Sequence, residues 1–235
     1  YTRSMDLGLI TCNICFDNPA DGENSWSHRR IFLAETLLKH SPDIIATQEG
    51  RIHQLKDLEQ LLKNYQMIDH HRSWIDERMY PTLFIKKNKF SVLQSGDNWL
   101  SETPDVAGST SFESAFPRLM TWGKFQLQNS EKKLMIANTH LDHIKRETRI
   151  CQVRVLIEEI KKNWKDEGEL FVLGDFNDSP QGEVRKIVEL EFPNLQDAWS
   201  LKNSVEETSH HAFQGEIENG ARIDWILTDK NAHIQ

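Results

Sequence analysis

No stretch of these 235 residues approaches the roughly 18 consecutive apolar side chains that a membrane-spanning helix needs. Low-complexity segments, short repeats and linker-like runs are also missing, so 1–235 reads as one domain. Cysteine is scarce. Cys12, Cys15 and Cys151 cannot all pair within one chain. "CNIC" has a redox spacing, but it lies inside a strand-like run, where residues three apart face opposite ways. Free thiols packed as small hydrophobes are expected. They favour a reducing, cytoplasmic compartment; the start at Tyr1, without an initiator Met, reads as a trimmed N-terminus and leaves export open. Basic residues are outnumbered, 28 against 36 acidic, for a net charge of −8. There is no Lys/Arg stripe; the densest basic patch, "FIKKNKF", reads as a solvated strand. Duplex nucleic acid is gripped through its phosphates, so this balance argues against it. A small phosphorylated substrate stays open, because a bound metal can supply positive charge.

What is present is an ordinary globular composition, 38% hydrophobic and 27% charged. Residues 7–16, "LGLITCNICF", are apolar and β-rich. "SWSHRRIFLAETLLKH" predicts an amphipathic helix, with Ser25 or Ser27 as N-cap and Ile31, Ala34, Leu37 and Leu38 on one face. "PDIIATQE" predicts a short buried strand and "HQLKDLEQLLKNY" a second helix. Strands are expected at "QMIDHH", "TLFIKK" and "FSVLQSG", before a long loop through residues 98–118. "LMTWGKFQL" and "KLMIANTHL" predict a hairpin pair. "RETRICQVRVLIEEIKKNW" has the clearest helical stripe, through Ile150, Val153, Ile157, Ile160 and Trp164. "ELFVLGDFN" is a strand, followed by a short helix with Ser179 and Pro180 at its start. "ARIDWILTD" is a late strand. Two packed sheets covered by helices satisfy this order.

Polar residues gather at the ends of the apolar strands. In "LFVLGDFND", an extended chain puts Asp175 and Asn177 on one face, with Phe176 anchored in the core. Gly174 permits a close backbone approach. "IANTHLDH" sets Asn138, His140 and Asp142 on one face. "DIIATQE" ends in Glu49, "LITCNIC" carries Asn13, and "ARIDWIL" places Asp224 between apolar neighbours. If the strands lie side by side, these groups converge. Crowded buried carboxylates are unfavourable by several kcal/mol, roughly, unless a cation joins them. Mg²⁺ or Mn²⁺ suits one or two carboxylates with water and phosphate oxygens, so Glu49, Asp175 and Asp224 read as a metal-assisted phosphoryl centre.

"NIC", "TQE", "NTHLDH", "GDFNDSP" and "RIDWIL" occur in the order used by the endonuclease/exonuclease/phosphatase superfamily, and the chain resembles that superfamily over nearly its whole length. The stretch "SGDNWLSETPDVAGSTSFESAFPRLMTW" resembles a bacterial subgroup. The resemblance implies a DNase I-like, four-layer α/β sandwich, with two mostly antiparallel sheets flanked by helices and Mg²⁺-dependent phosphoester hydrolysis. It further implies Glu49 as main metal ligand with Asn13 beside it, and Asp175 orienting or deprotonating the attacking water. Asn177 would hold a phosphate oxygen, His140 would bind phosphate or help the leaving group, and Asp224 would orient a second histidine. The sequence reaches "NAHIQ" before the superfamily's final Ser-Asp-His strand; either that strand has been lost, which is the expectation, or the natural protein lacks it, which predicts a feeble or inactive enzyme. His143 belongs to the "NTH" strand, and His233 lies too near Asp224 to substitute.

Each residue also has a plainer reading. Asn13 could satisfy backbone groups, Glu49 could pair with Arg29 or Arg30, and Arg118 could form a salt bridge instead of reaching the pocket with Asn138. Trp99 is the tryptophan considered as a substrate wall. The His70–His71 and His210–His211 doublets are expected at the surface. Two functions follow: a metal-dependent phosphoesterase acting on a small phosphorylated compound or single-stranded nucleic acid, or a catalytically silent relative binding a phosphorylated ligand or a protein.

Overall fold

The structure, a computed structural model, describes residues 6–165, 168–202, 205–215 and 220–229. His233 lies outside them. Among the described residues ten strands form two sheets. The first contains β1 (Leu9–Asn13), β2 (Ile44–Gly50), β3 (Tyr65–Met67) and β4 (Tyr80–Lys86), in the order β1-β2-β4-β3. The second contains β5 (Phe90–Trp99), β6 (Leu119–Leu127), β7 (Lys133–His140), β8 (Glu169–Asp175), β9 (Leu195–Asp197) and β10 (Asp224–Asp229), in the order β5-β6-β7-β8-β10-β9. β1–β2 and β7–β8 are parallel and the other pairings antiparallel.

Four layers follow from strands that are apolar on both faces. Along β2, β4, β7 and β8 the side chains alternate between two destinations. Ile44, Leu83, Ile136 and Leu173 fill the space between the sheets. Ile45 and Phe84 turn outward to Ala34 and Leu37 of α1 (Trp26–His40) and Leu55 and Leu58 of α2 (Ile52–Leu61). Ala137 and Val172 turn outward to Val153, Leu156 and Ile160 of α3 (Arg146–Asn163) and to Val184 and Val188 of α4 (Glu183–Glu191). The molecule is therefore an α/β sandwich of helix, sheet, sheet and helix.

Local differences from expectation have physical causes. α1 meets its sheet through Trp26, Ala34 and Leu37, so Ile31 and Leu38 stay exposed. α4 begins after Gly182, later than Ser179 and Pro180 suggested. The Asp178 carboxylate takes the amides of Ser179 and Val184 and holds the intervening turn. "FIKKNKF" is a turn between sheets, not one strand: β4 ends at Lys86 and β5 starts at Phe90. Its lysines serve the fold, since Lys86 and Lys89 both bind the Asp43 carboxylate. β9 and the short α5 (Ala198–Lys202) were not expected. Gly174, at φ 131°, is required for register: a Cβ there would lie 2.1 Å from the Thr139 carbonyl oxygen on β7. The three cysteines are free.

Candidate active site

One rim of the sandwich collects the polar strand ends. His140 ends β7 and pairs in register with Asp175 at the end of β8; Asp175 pairs on its other side with Asp224, the first residue of β10. Asn13 ends β1 in the opposite sheet. Its Nδ2 donates to Glu49 Oε1 and to Asp175 Oδ2, each at 3.0 Å, so one amide bridges the sheets. Asn13 Oδ1 accepts the Cys15 amide at 2.9 Å, which fixes the side chain's orientation. Glu49 Oε2 takes the Phe16 amide at 3.1 Å.

Two of these positions carry left-handed backbone. Glu49 has φ 63° where the β2–β4 register slips between Thr47 and Gly50, and Asn177 has φ 49°. Such conformations are unfavourable for non-glycine residues and persist where the surroundings hold them. At Asn177 this corrects the extended-strand reading. β8 stops at Asp175, and a tight turn brings the Asn177 amide back to Asp175 Oδ1 at 3.0 Å. Asn177 Nδ2 donates to the Leu141 carbonyl. Phe176 is fully buried and stacks on Trp225, 4.3 Å between ring centres.

Arg118, just before β6, enters the same pocket. Its Nη1 lies 2.9 Å from His140 Nδ1 and 3.2 Å from Nε2, and its Nη2 lies 3.2 Å from His143 Nδ1. His140 Nε2 stands 3.6 Å from Asp175 and 3.9 Å from Glu49. Burial, reinforced by the Arg118 charge, holds the His140 pKa well below the usual histidine range. The imidazole is therefore neutral at physiological pH.

The acids are pushed the other way. Burial, opposed by the Asn13 and Asn177 donors and aided by the Glu49 charge, raises the Asp175 pKa. Burial and then the Asp175 charge raise Asp224 to about 7. Asp224 Oδ2 accepts the Ser209 hydroxyl at 2.7 Å, but the buried Oδ1 has no hydrogen-bond partner among the described residues. A stability effect follows, with a definite sign. An unfolded aspartate titrates near 3.9, roughly, so below that pH both states are protonated. Between about pH 4 and pH 7 the unfolded chain sheds a proton that the folded chain keeps, and stability falls. Above about 7 the loss levels off. With chelator present, Asp224→Asn should remove this decline and leave the variant more stable than the parent at neutral pH, on the order of 1–3 kcal/mol. Urea unfolding of both proteins across that range tests it; parallel curves would rule Asp224 out as the source.

The pocket, about 660 Å³, is lined by Asn13, Glu49, Arg118, His140, Asp175, Asn177 and Asp224, together with several apolar side chains. Three expected residues are absent from its lining. Asn138 is fully buried beneath it: its Oδ1 accepts from Gln48 Nε2 at 2.8 Å, and its Nδ2 donates to the Thr47 and Thr82 carbonyls. It ties the sheets together, because its side chain points into the interface between them. Trp99 is 3% exposed and packs edge-on to Tyr80, so it offers no substrate wall. Asp142 is spent on the amides of Ala115, Ile144 and Lys145. His71 is not a surface residue either: it is largely buried between Ser95 and Asp97.

The competing partners for Glu49 are engaged elsewhere. Arg30 pairs with Asp57, and Arg29 donates to the carbonyls of Ile14, Cys15 and Asn24. Arg29 and His143 nevertheless line the pocket, as do the exposed His210 and His211. None of these could be read from strand-end polarity, because none ends a strand.

The model of the endonuclease/exonuclease/phosphatase family matches residues 10–234. The chain belongs to that family. A family member from Bacteroides vulgatus has a solved structure that superposes with a TM-score of 0.88 at 30% identity, over 97% of this chain and 88% of that one. A mannosyl-6-phosphatase from Bacteroides thetaiotaomicron gives 0.84 at 26%, over 96% and 86%. A protein of Acanthamoeba polyphaga mimivirus is 24% identical over 205 residues, 84% of this chain and 75% of that protein. Membership makes the DNase I-like fold a family property, and hydrolysis of phosphoesters the family's chemistry. Among the described residues no helix is long and apolar enough to cross a membrane.

Proposed function

We propose that this chain is a Mg²⁺- or Mn²⁺-dependent phosphoesterase that cleaves a small phosphorylated compound by in-line attack of water. The observation that carries the reading is Asn13 bridging Glu49 and Asp175 across the sheets, with His140, Arg118 and Asn177 around them. The groups fit a hard divalent cation. Glu49, with Asn13 beside it, supplies oxygen donors, and the unpartnered Asp224 Oδ1 marks a centre that is electrostatically unbalanced by itself. Among the described residues no three His, Cys, Asp or Glu side chains form a ready-made metal cluster. Mg²⁺ asks for less, one or two carboxylates with water and phosphate oxygens. When bound there, the cation would supply positive charge to the phosphate oxygens.

The chain's own residues divide the remaining work. Asp175 accepts the proton of the attacking water; its raised pKa makes it a better base than an ordinary carboxylate, and the Asn177 amide fixes its outer oxygen. Arg118 can only donate, so one His140 ring nitrogen accepts from it; Nδ1 is the nearer, and Nε2 faces the Asp175 and Glu49 carboxylates, which suits a proton there. That N–H and the second Nδ2 hydrogen of Asn177, the one not given to the Leu141 carbonyl, are the neutral donors for phosphate oxygens. Asp224 would orient a second histidine through Oδ1. A further cavity of about 550 Å³ lies between Thr11 on β1 and Asp224 on β10.

The acidic balance and the mannosyl-6-phosphatase among the relatives both favour a small substrate over duplex DNA. The test is hydrolysis of a chromogenic phosphodiester and a phosphomonoester with Mg²⁺, with Mn²⁺ and with chelator. Cation-dependent turnover is expected. Equal null rates in all three conditions would leave the silent-relative reading in its place.

A further inference from the structure

Three phenyl rings stand open to solvent at the phosphoester pocket. Phe32 on α1 is 73% exposed, Phe213 45% and Phe116 44%, and all three line the cavity that holds Glu49 and Asp175. Leu33, Met79 and Ile223 continue the apolar wall between them. Uncovered aromatic surface beside a charged centre is uncommon and marks binding. Two of the rings are also held in place. Phe116 stacks on His143, 5.9 Å between centres and 19° from parallel, with the Arg118 guanidinium 5.7 Å away. Arg29 lies 5.9 Å from the Phe213 ring centre, and its own N–H groups are anchored on backbone carbonyls. Rings fixed by the arginine at the phosphate site, and by a second one lining the pocket, are aimed surfaces.

Resting on the phosphoester reading, we infer that the substrate carries a planar aromatic group close to its scissile phosphate, and that Phe32, Phe213 and Phe116 select it by stacking. A ring system, of the aryl or nucleobase class, offers a π-face to each phenyl. A small molecule is favoured over a long nucleic acid. Tracking a backbone needs a cationic groove, and the net charge of −8 comes without a basic stripe.

The test uses hydrolysis-proof phosphonates and reads binding by calorimetry, with Mn²⁺ present. The ligands are methylphosphonate, phenylphosphonate, octylphosphonate and 2,3-dihydroxypropylphosphonate. Phenylphosphonate should bind about tenfold tighter than the methyl compound, a typical gain for one aromatic stack. In Phe32→Ala/Phe213→Ala the phenyl compound should fall back toward the methyl compound. Both rings are exposed, so an unchanged melting temperature confirms the variant's fold. Equal affinity for methyl and phenyl compounds overturns the inference and leaves the phosphoesterase standing. Tighter binding of the octyl or dihydroxypropyl compound also overturns it, in favour of a lipid-like or a polyol substrate. Failure of all four to bind overturns both the inference and the phosphate site it depends on.

Discussion

Asp175→Asn should lower turnover by about 10²–10⁴-fold while the protein still folds. Asp175 is 4% exposed and takes donors from both sides, Asn13 Nδ2 and the Asn177 amide. Asparagine keeps the volume and one carbonyl oxygen for the Asn177 amide, so that turn survives, while the bond from Asn13 Nδ2 is lost. It cannot accept a proton from water. Folding should be spared for a further reason: burial and the nearby Glu49 already disfavour the Asp175 charge, so its removal relieves a crowded site. The measurement is kcat/KM with a chromogenic phosphoester over a range of cation concentrations, beside a melting curve. Parent-like turnover at any cation concentration would exclude Asp175 as the base. Rescue by high cation would instead assign it to metal binding.

Glu49→Gln should abolish stabilisation by Mg²⁺ or Mn²⁺. A ligand present at about 100 times its Kd stabilises the folded state by about 2.7 kcal/mol. For a domain of this size that raises Tm by about 5–10 °C. Glu49 is the rim carboxylate delivered by a bulged, left-handed segment of β2, and it contacts Asn13 and the Phe16 amide with neutral donors only. Glutamine at this position retains an oxygen for one of those two donors but loses the charge that a hard cation requires. Without metal, the variant should melt at or above the parent's temperature, since one of three neighbouring carboxylates is gone. A cation-induced shift equal to the parent's would exclude Glu49 as the ligand.

Much of this site was legible as strand-end polarity. Glu49, His140, Asp175 and Asp224 each belong to a strand, and a buried strand has few reasons to finish on a charged or ionisable group. That signal weakens where the backbone leaves the strand. Asn177 was paired with Asp175 for the wrong geometric reason: a left-handed turn, not pleat alternation, joins them. Asn138 carries the same signal as His140, two residues away on the same face. Depth separates them, for Asn138 lies beneath the rim and bonds to Gln48 and two carbonyls across the sheets. Trp99 was misassigned because a tryptophan at the start of a loop looks available, whereas β5 extends through it into the core. Arg29 and Phe213 left no trace, since an arginine on an amphipathic helix and a phenylalanine in a polar loop are both ordinary.

Periodicity and motif order, then, determined the layers, most of the strands and which strand ends carry polar groups, because apolar alternation and polar termination are properties of a short segment. Which of those polar groups meet was decided by tertiary structure alone. Asn13 and Asp175 lie 162 positions apart, and only the packing of one sheet on the other brings them within 3.0 Å. Burial depth, the neutral state of His140, the acid kept protonated to about pH 7 at Asp224 and the phenyl-lined mouth are likewise consequences of what lies nearby in space, which no local stretch of sequence encodes.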